Sequence, residues 1–170
     1  MKAEKRFLSK NRLSRLRAQG YVAQTEEELS QLAFGIRFAY RGCTIILTSA
    51  IAVQSTALFS AMTIVAIVGI VSPNHPFDYI YNYFLRKWMN KPELPVRANQ
   101  LKFACIIASI WLTIVIGLLS AGFTTAGLIM AIILVLVAAL PSTIDYCIPS
   151  AIYNVLFKKK VNDAHMTIQP

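Results

Sequence analysis

The sequence predicts an all-α integral membrane protein, in which four transmembrane helices form two helical hairpins joined by an interfacial amphipathic helix. Three observations point there. Hydrophobic residues make up 56% of the 170 positions and the mean hydropathy is +0.54, more than an ordinary soluble domain of this length carries. That apolar content is gathered into four stretches: one running up to Val53, then Ala57 to Val71, Leu101 to Leu119, and Thr124 to Leu140. All 17 Lys and Arg residues lie in three places: nine before Gly42, five from Arg86 to Lys102, and three at Lys158 to Lys160.

An α-helix needs about 20 apolar residues to cross a hydrocarbon core. The second and fourth stretches are shorter, and span by local bilayer thinning or by snorkelling of flanking side chains. The connections around Gln54 to Thr56 and Ser120 to Thr124 contain no charged residue. With those turns on the far face, every basic side chain falls on one side, which is the positive-inside pattern. The expectation is a multi-pass protein of a bacterial cytoplasmic (inner) membrane with both termini cytoplasmic. The net charge of +9 then reads as orientation and attraction to anionic lipid headgroups, and not as a nucleic-acid surface, for which no reader motif exists. The first apolar run begins more than thirty residues in, so it reads as a retained span and not as a cleaved signal.

In chain order, residues 1–24 form a basic N-terminal arm, expected to be flexible or to lie on anionic lipid, since Phe7, Leu8, Leu13 and Leu16 make no clear stripe. Gly20 ends it. Residues 25–72 hold the first hairpin, opened by a capping box in which Thr25 and Glu28 satisfy orphan amides. Leu29, Leu32, Ala33, Ile36 and Tyr40 follow at helical spacing, and Arg37 and Arg41 stand one turn apart where they can reach the cytoplasmic interface. Residues 73–100 are a cytoplasmic connector. Pro73 and Pro76 end the second span, and six aromatics follow within twelve residues. Phe77, Ile80, Tyr81, Phe84 and Trp88 share one helical face, while Asp78, Asn82 and Arg86 share the other, predicting a helix in the headgroup plane. Residues 101–157 hold the second hairpin and a closing segment, and residues 158–170 a basic and polar tail.

Within the closing segment Pro141 and Pro149 bracket Thr143, Asp145 and Cys147. A carboxylate at this depth reads first as an interfacial partner of Arg37, Arg41 or Lys102, with Pro141 ending the helix. A weak internal repeat accompanies the hairpins: Arg37-Phe38-Ala39 matches Lys102-Phe103-Ala104, and Asp78-Tyr79 matches Asp145-Tyr146. Such a repeat describes a parallel duplication about an axis along the membrane normal.

These residues also carry a resemblance. His75-Pro76-Phe77-Asp78, the Pro92 to Pro95 elbow, Lys102-Phe103-Ala104, and Asp145-Tyr146-Cys147-Ile148-Pro149-Ser150 with Tyr153-Asn154 resemble a bacterial membrane family known as domain of unknown function 4395, over about residues 30 to 157. The resemblance implies a helical membrane architecture and no defined activity. It also implies, for many relatives, two closely spaced cysteines near this C-terminal position, and in some a thioredoxin-like or sulfurtransferase-like partner domain. Here Cys147 stands alone, followed by Pro149 and Ser150.

The residues show no catalytic constellation: no Ser-His-Asp order at usable depth, no phosphate loop and no metal-ligand spacing. The reading is therefore no enzyme, no cofactor and no metal. Cys43, Cys105 and Cys147 read as small apolar residues in packed helices. His75 reads as a loop residue between prolines, with ligation of a pigment or hydrogen bonding to a quinone headgroup as the sharper alternative. His165, in the polar tail, excludes a bis-histidine haem between spans. The candidate functional or structural residues are His75, Asp78, Asp145, Cys147, Arg37 and Arg41. The expected function is that of a non-catalytic accessory or structural subunit, partnered by anionic lipid and by other membrane subunits or further copies of itself. The alternative is a small transporter or a thiol- or sulfur-handling protein acting through Asp145 and Cys147.

Overall fold

The computed structural model describes residues 8–158, and among them there are helices and connecting segments but no strand. In chain order the helices are α1 (Lys10–Ala18), α2 (Glu26–Ala52), α3 (Thr56–Val71), α4 (Pro76–Ile80), α5 (Arg86–Met89), α6 (Asn99–Ser120), α7 (Thr124–Ile144) and α8 (Ile148–Tyr153). One π-helical turn, Tyr81–Leu85, joins α4 to α5 and another, Asn154–Lys158, extends α8. The first seven residues and nearly all of the C-terminal tail, including Lys159 and His165, lie outside the described residues.

Local chemistry sets the boundaries. Thr25 Oγ1 accepts from Glu28 N at 3.3 Å while Glu28 Oε2 accepts from Thr25 N at 2.7 Å, the reciprocal capping box that starts α2. The Ser55 hydroxyl caps α3, which stops at Val71 ahead of Pro73. Pro141 does not end α7, contrary to the sequence expectation: the helix continues to Ile144 and closes on Asp145 in the left-handed region, at φ +57°. Proline removes one helical donor, and the hydroxyls of Ser142 and Thr143 turn back onto the Ala139 carbonyl at 2.8 and 2.7 Å in the same turn.

Two helices, α6 and α7, are long and apolar enough to cross a membrane. A third span results if α3 and the segment Pro76–Met89, bent by 80° at their break, count as one. α2 is longer than either, with 27 residues, but Arg37 and Arg41 interrupt its apolar run. The four large helices interlock: α3 lies along α6 and α2 along α7, each more extensively than α2 meets α3 across their own turn. One core cluster, with Leu47, Phe59, Leu112 and Val115, fills the half nearest the tight turns. A second, with Leu16, Leu29, Ile36, Tyr81 and Leu94, fills the connector end. Large aliphatic side chains such as Ile45, Ile64, Ile110 and Leu136 face outward, a continuous apolar exterior of the kind a bilayer covers.

Two expectations are corrected. The N-terminal arm is not free over its described part: α1 buries Leu16 completely and Gln19 to 1%, because both ends of α1 are held by polar groups of the closing segment. The connector turns its polar face inward. Asp78 and Asn82 are 4% and 6% exposed, Tyr81 is fully buried, and Phe84 and Trp88 point outward. The π turn inserts an extra residue and re-aims the face beyond it. Asn82 meanwhile clamps the backbone of Leu94, accepting from its N–H at 2.9 Å and donating to its carbonyl at 3.4 Å.

Tyr81 fits because Gly35 has no side chain: a Cβ there would stand 2.6 Å from the Tyr81 ring, whereas one at Gly117 would meet nothing within 4 Å. Gly35→Ala should therefore destabilise the protein by about 1–3 kcal/mol through overpacking. Gly117→Ala should be neutral, or stabilising by roughly 0.5–1 kcal/mol through helix propensity. Thermal melting of the two purified variants in detergent checks this, and equal melting points would refute the packing argument.

Candidate functional site

Two buried aspartates organise the polar end of the bundle. Asp78, in the first turn of α4, accepts from the Arg97 guanidinium through both oxygens: Nε meets Oδ2, and Nη2 meets Oδ1 at 2.9 Å. The side chains of Arg97 and Asp78 are 7% and 5% exposed. Burial works against the Arg97 charge, but the charge and hydrogen bonds of Asp78 more than offset it, so its pKa lies above the ordinary arginine value. The Arg97 backbone N–H also donates to the Pro73 carbonyl at 3.0 Å. The stretch before α6 is thus fixed against the loop that follows α3.

Asp145 is the second. Arg37 reaches it as a fork, Nε to Oδ1 at 2.6 Å and Nη2 to Oδ2 at 2.5 Å, and Arg12 Nε meets Oδ2 at 2.5 Å. Gln19 Nε2 donates to the Asp145 backbone carbonyl at 2.7 Å, and Arg15 Nη1 to that of Ile144 at 2.9 Å. Asp145 therefore ties α1 and α2 to the end of α7. Of the partners expected from the sequence, Arg37 takes this place; Arg12 supplies the second cation, and Arg41 is exposed.

His75 is not a free loop residue. It is 5% exposed and is the N-cap of α4, its Nδ1 accepting from Phe77 N at 3.4 Å while its own N–H donates to Asp78 at 3.1 Å. Burial, with Arg97 nearby, lowers its pKa to about 3. The ring is therefore neutral, and with Nδ1 accepting, the proton sits on Nε2. Gly69 lets the ring approach α3: a Cβ at that position would lie 2.7 Å from His75 Cδ2 and 3.1 Å from Cys105 Sγ. His75 and Cys105 thus press on the same point of α3.

These side chains border a partly open cavity of about 220 Å³ between α2, α3, α6, α7 and α8. Cys43, Cys105 and Cys147, all three cysteines of the chain, line it, and all are free thiols. His75 and Arg97 are its polar members, together with Tyr40, whose hydroxyl is held by Gln19 Oε1 at 3.0 Å. Most of the remaining lining is aliphatic, with the Trp111 indole fixed by a bond from Nε1 to the Met130 carbonyl at 3.0 Å. No group of three or more His, Cys, Asp or Glu side chains with metal-binding geometry exists among the described residues.

Sequence reasoning singled out His75, Asp78 and Cys147 but did not bring them together. It missed Arg97, which counted as one more interfacial cation. It also missed the convergence of the cysteines, which lie 62 and 42 residues apart with no local spacing. The only sequence signal for Arg97 was its place two residues after Pro95, in a segment too short and too stiff to let it reach water freely.

The fold and the site define a class: all-helical proteins with membrane-length apolar helices wrapped around a thiol-lined cavity. The chain belongs to the family described as domain of unknown function (DUF4395), whose family model matches residues 33–158. No curated protein matches the chain, and no solved structure does.

Two outcomes follow from the buried groups. Replacing Asp78 alone with Leu leaves Arg97 charged and unpaired, which should cost about 3–5 kcal/mol. The double change Asp78→Leu with Arg97→Met should recover most of that, as read by folded yield and melting in detergent. The second concerns pH. Because His75 is neutral when folded and titrates near the ordinary 6.5 when unfolded, protons favour the unfolded chain below about pH 6.5. Stability should be full above that value and fall by about 2 kcal/mol on going down to pH 5. His75→Gln should flatten this slope in melting curves recorded between pH 7 and 5.

Proposed function

We propose that this chain is a non-catalytic integral membrane protein that binds a small apolar molecule among its three thiols. The observation that carries the reading is the convergence of Cys43, Cys105 and Cys147 on one largely apolar cavity. Cysteines used only as small core residues have no reason to gather on a void. His75 fits a binding role, since its Nε2–H can donate to a ligand but cannot serve as a base. Of the two residues expected to act in a thiol- or sulfur-handling role, Cys147 stays in the proposal. Asp145 leaves it, because its two oxygens are taken up by Arg12 and Arg37.

The proposal includes four spans, with α2 and α3 as the first hairpin and α6 and α7 as the second, in a bacterial inner membrane with both termini cytoplasmic. The placement of basic residues supports this orientation. An accessory role within a larger membrane assembly fits the same architecture: Tyr83, Phe84 and Trp88 are 63%, 72% and 90% exposed on the connector, and offer an aromatic contact to lipid or to a partner subunit.

Thiol labelling in native membranes tests the reading. N-ethylmaleimide, which is small and apolar, should modify Cys147, whereas a charged methanethiosulfonate of similar size should leave it untouched. Mass spectrometry of the peptides reads the result. If Cys147 stays unmodified by the apolar reagent in the folded protein yet reacts once the chain is unfolded at the same pH, the reading is refuted.

A further inference from the structure

The cavity carries more chemical information than its apolar lining. One hydrogen-bond donor borders it outside the contacts described above. Arg97 is not that donor, since it commits Nε and Nη2 to Asp78 and makes a further side-chain hydrogen bond with Cys105. His75 commits Nδ1 to the Phe77 amide, which leaves Nε2–H. Tyr40 does not join it, since its hydroxyl is engaged by Gln19. A ligand for this site therefore brings an acceptor to its polar end. That acceptor is uncharged in character, because the Arg97 charge is already met by Asp78 at full bidentate contact, so a carboxylate would find no net positive field.

Size and surroundings narrow the class. An engineered apolar cavity of about 150 Å³ holds benzene, so about 220 Å³ holds a substituted ring. The Trp111 indole and three polarisable sulfurs suit a flat π-system better than an acyl chain. Ala108, Ala138 and Ile152 line the cavity and are themselves partly or well exposed, so its mouth is bordered by apolar side chains, and a lipid-soluble tail can trail out there.

Resting on the binding-protein reading above, we propose that the cavity holds the head ring of a lipophilic quinone, with one carbonyl oxygen accepting from His75 Nε2. The proposal is for binding, with no electron transfer assigned to the thiols.

The chain has two tryptophans, Trp111 on the cavity and Trp88 exposed at 90%. Trp88→Phe leaves Trp111 as the sole reporter. This protein in phosphatidylcholine and phosphatidylglycerol nanodiscs is titrated with decylubiquinone, and Trp111 fluorescence should be quenched saturably. Adding Ala108→Phe, which fills the cavity, should abolish the saturable part and leave only the linear quenching of quinone dissolved in lipid. Ala138→Phe replaces it if the first variant fails to elute as a folded species. His75→Phe, which keeps a ring but removes the donor, should weaken binding about tenfold. Decylbenzene, with a ring and tail but no carbonyl, should not compete. Quenching that is linear in every variant overturns the proposal, as does equal competition by decylbenzene or unchanged affinity in His75→Phe. If Cys147 still reacts with maleimide in that event, the ligand class alone falls and the binding-protein reading stands.

Discussion

The ion pair between Asp78 and Arg97 is the constraint on which the polar end of this bundle depends. It joins the first turn of α4 to the second residue before α6, across a connector that contains a π turn, a left-handed Asn90 and two prolines. A buried pair is seldom a net source of stability, because removing two charges from water costs about what their attraction returns. Its effect is on specificity. A lone charge at either position would be strongly unfavourable, so only the conformation that brings both together is available. That conformation presses His75 against Gly69 and sets Arg97 in the wall of the cavity.

Asp145 does the same work at the end of the second hairpin. Under the weak sequence repeat, α2 corresponds to α6, α3 to α7, and Asp78 to Asp145. The packing follows the same correspondence: the contact of α3 with α6 maps onto that of α7 with α2, and these are the two most extensive helix contacts. Each aspartate stands just past the second helix of its hairpin and takes a bidentate arginine. The environments then diverge. Asp78 is satisfied by a residue of the adjoining connector. Asp145 draws in α1 through Arg12 and Gln19, which is why a segment without an apolar stripe still packs.

This explains which parts of the structure were legible in the sequence. The Thr25 capping box, the stop at Ser72-Pro73 and the two long apolar helices are set by interactions within a few residues, and local pattern reveals them. The inward turn of Asp78 and Asn82 was misread because amphipathic reasoning takes charged residues to be the solvated ones. Next to a bilayer that rule fails, since an apolar side chain can face lipid while a paired charge is interior. Tyr81 was assigned to the lipid face for the same reason. The thiol cavity was invisible because nothing in the sequence spacing of Cys43, Cys105 and Cys147 encodes that α2, α6 and α8 converge.

Small residues permit either close helix contact or open space. Gly35, Gly42 and Gly69 serve contact: an added Cβ at each would stand within 3.0 Å of a ring from the connector. Ala39, Ala66, Ala104, Ala108 and Ala138 serve the opposite end, lining the cavity from four helices. Five alanines facing one void are poorly explained by packing alone, and well explained by an occupant whose own contacts replace those the alanines leave unmade.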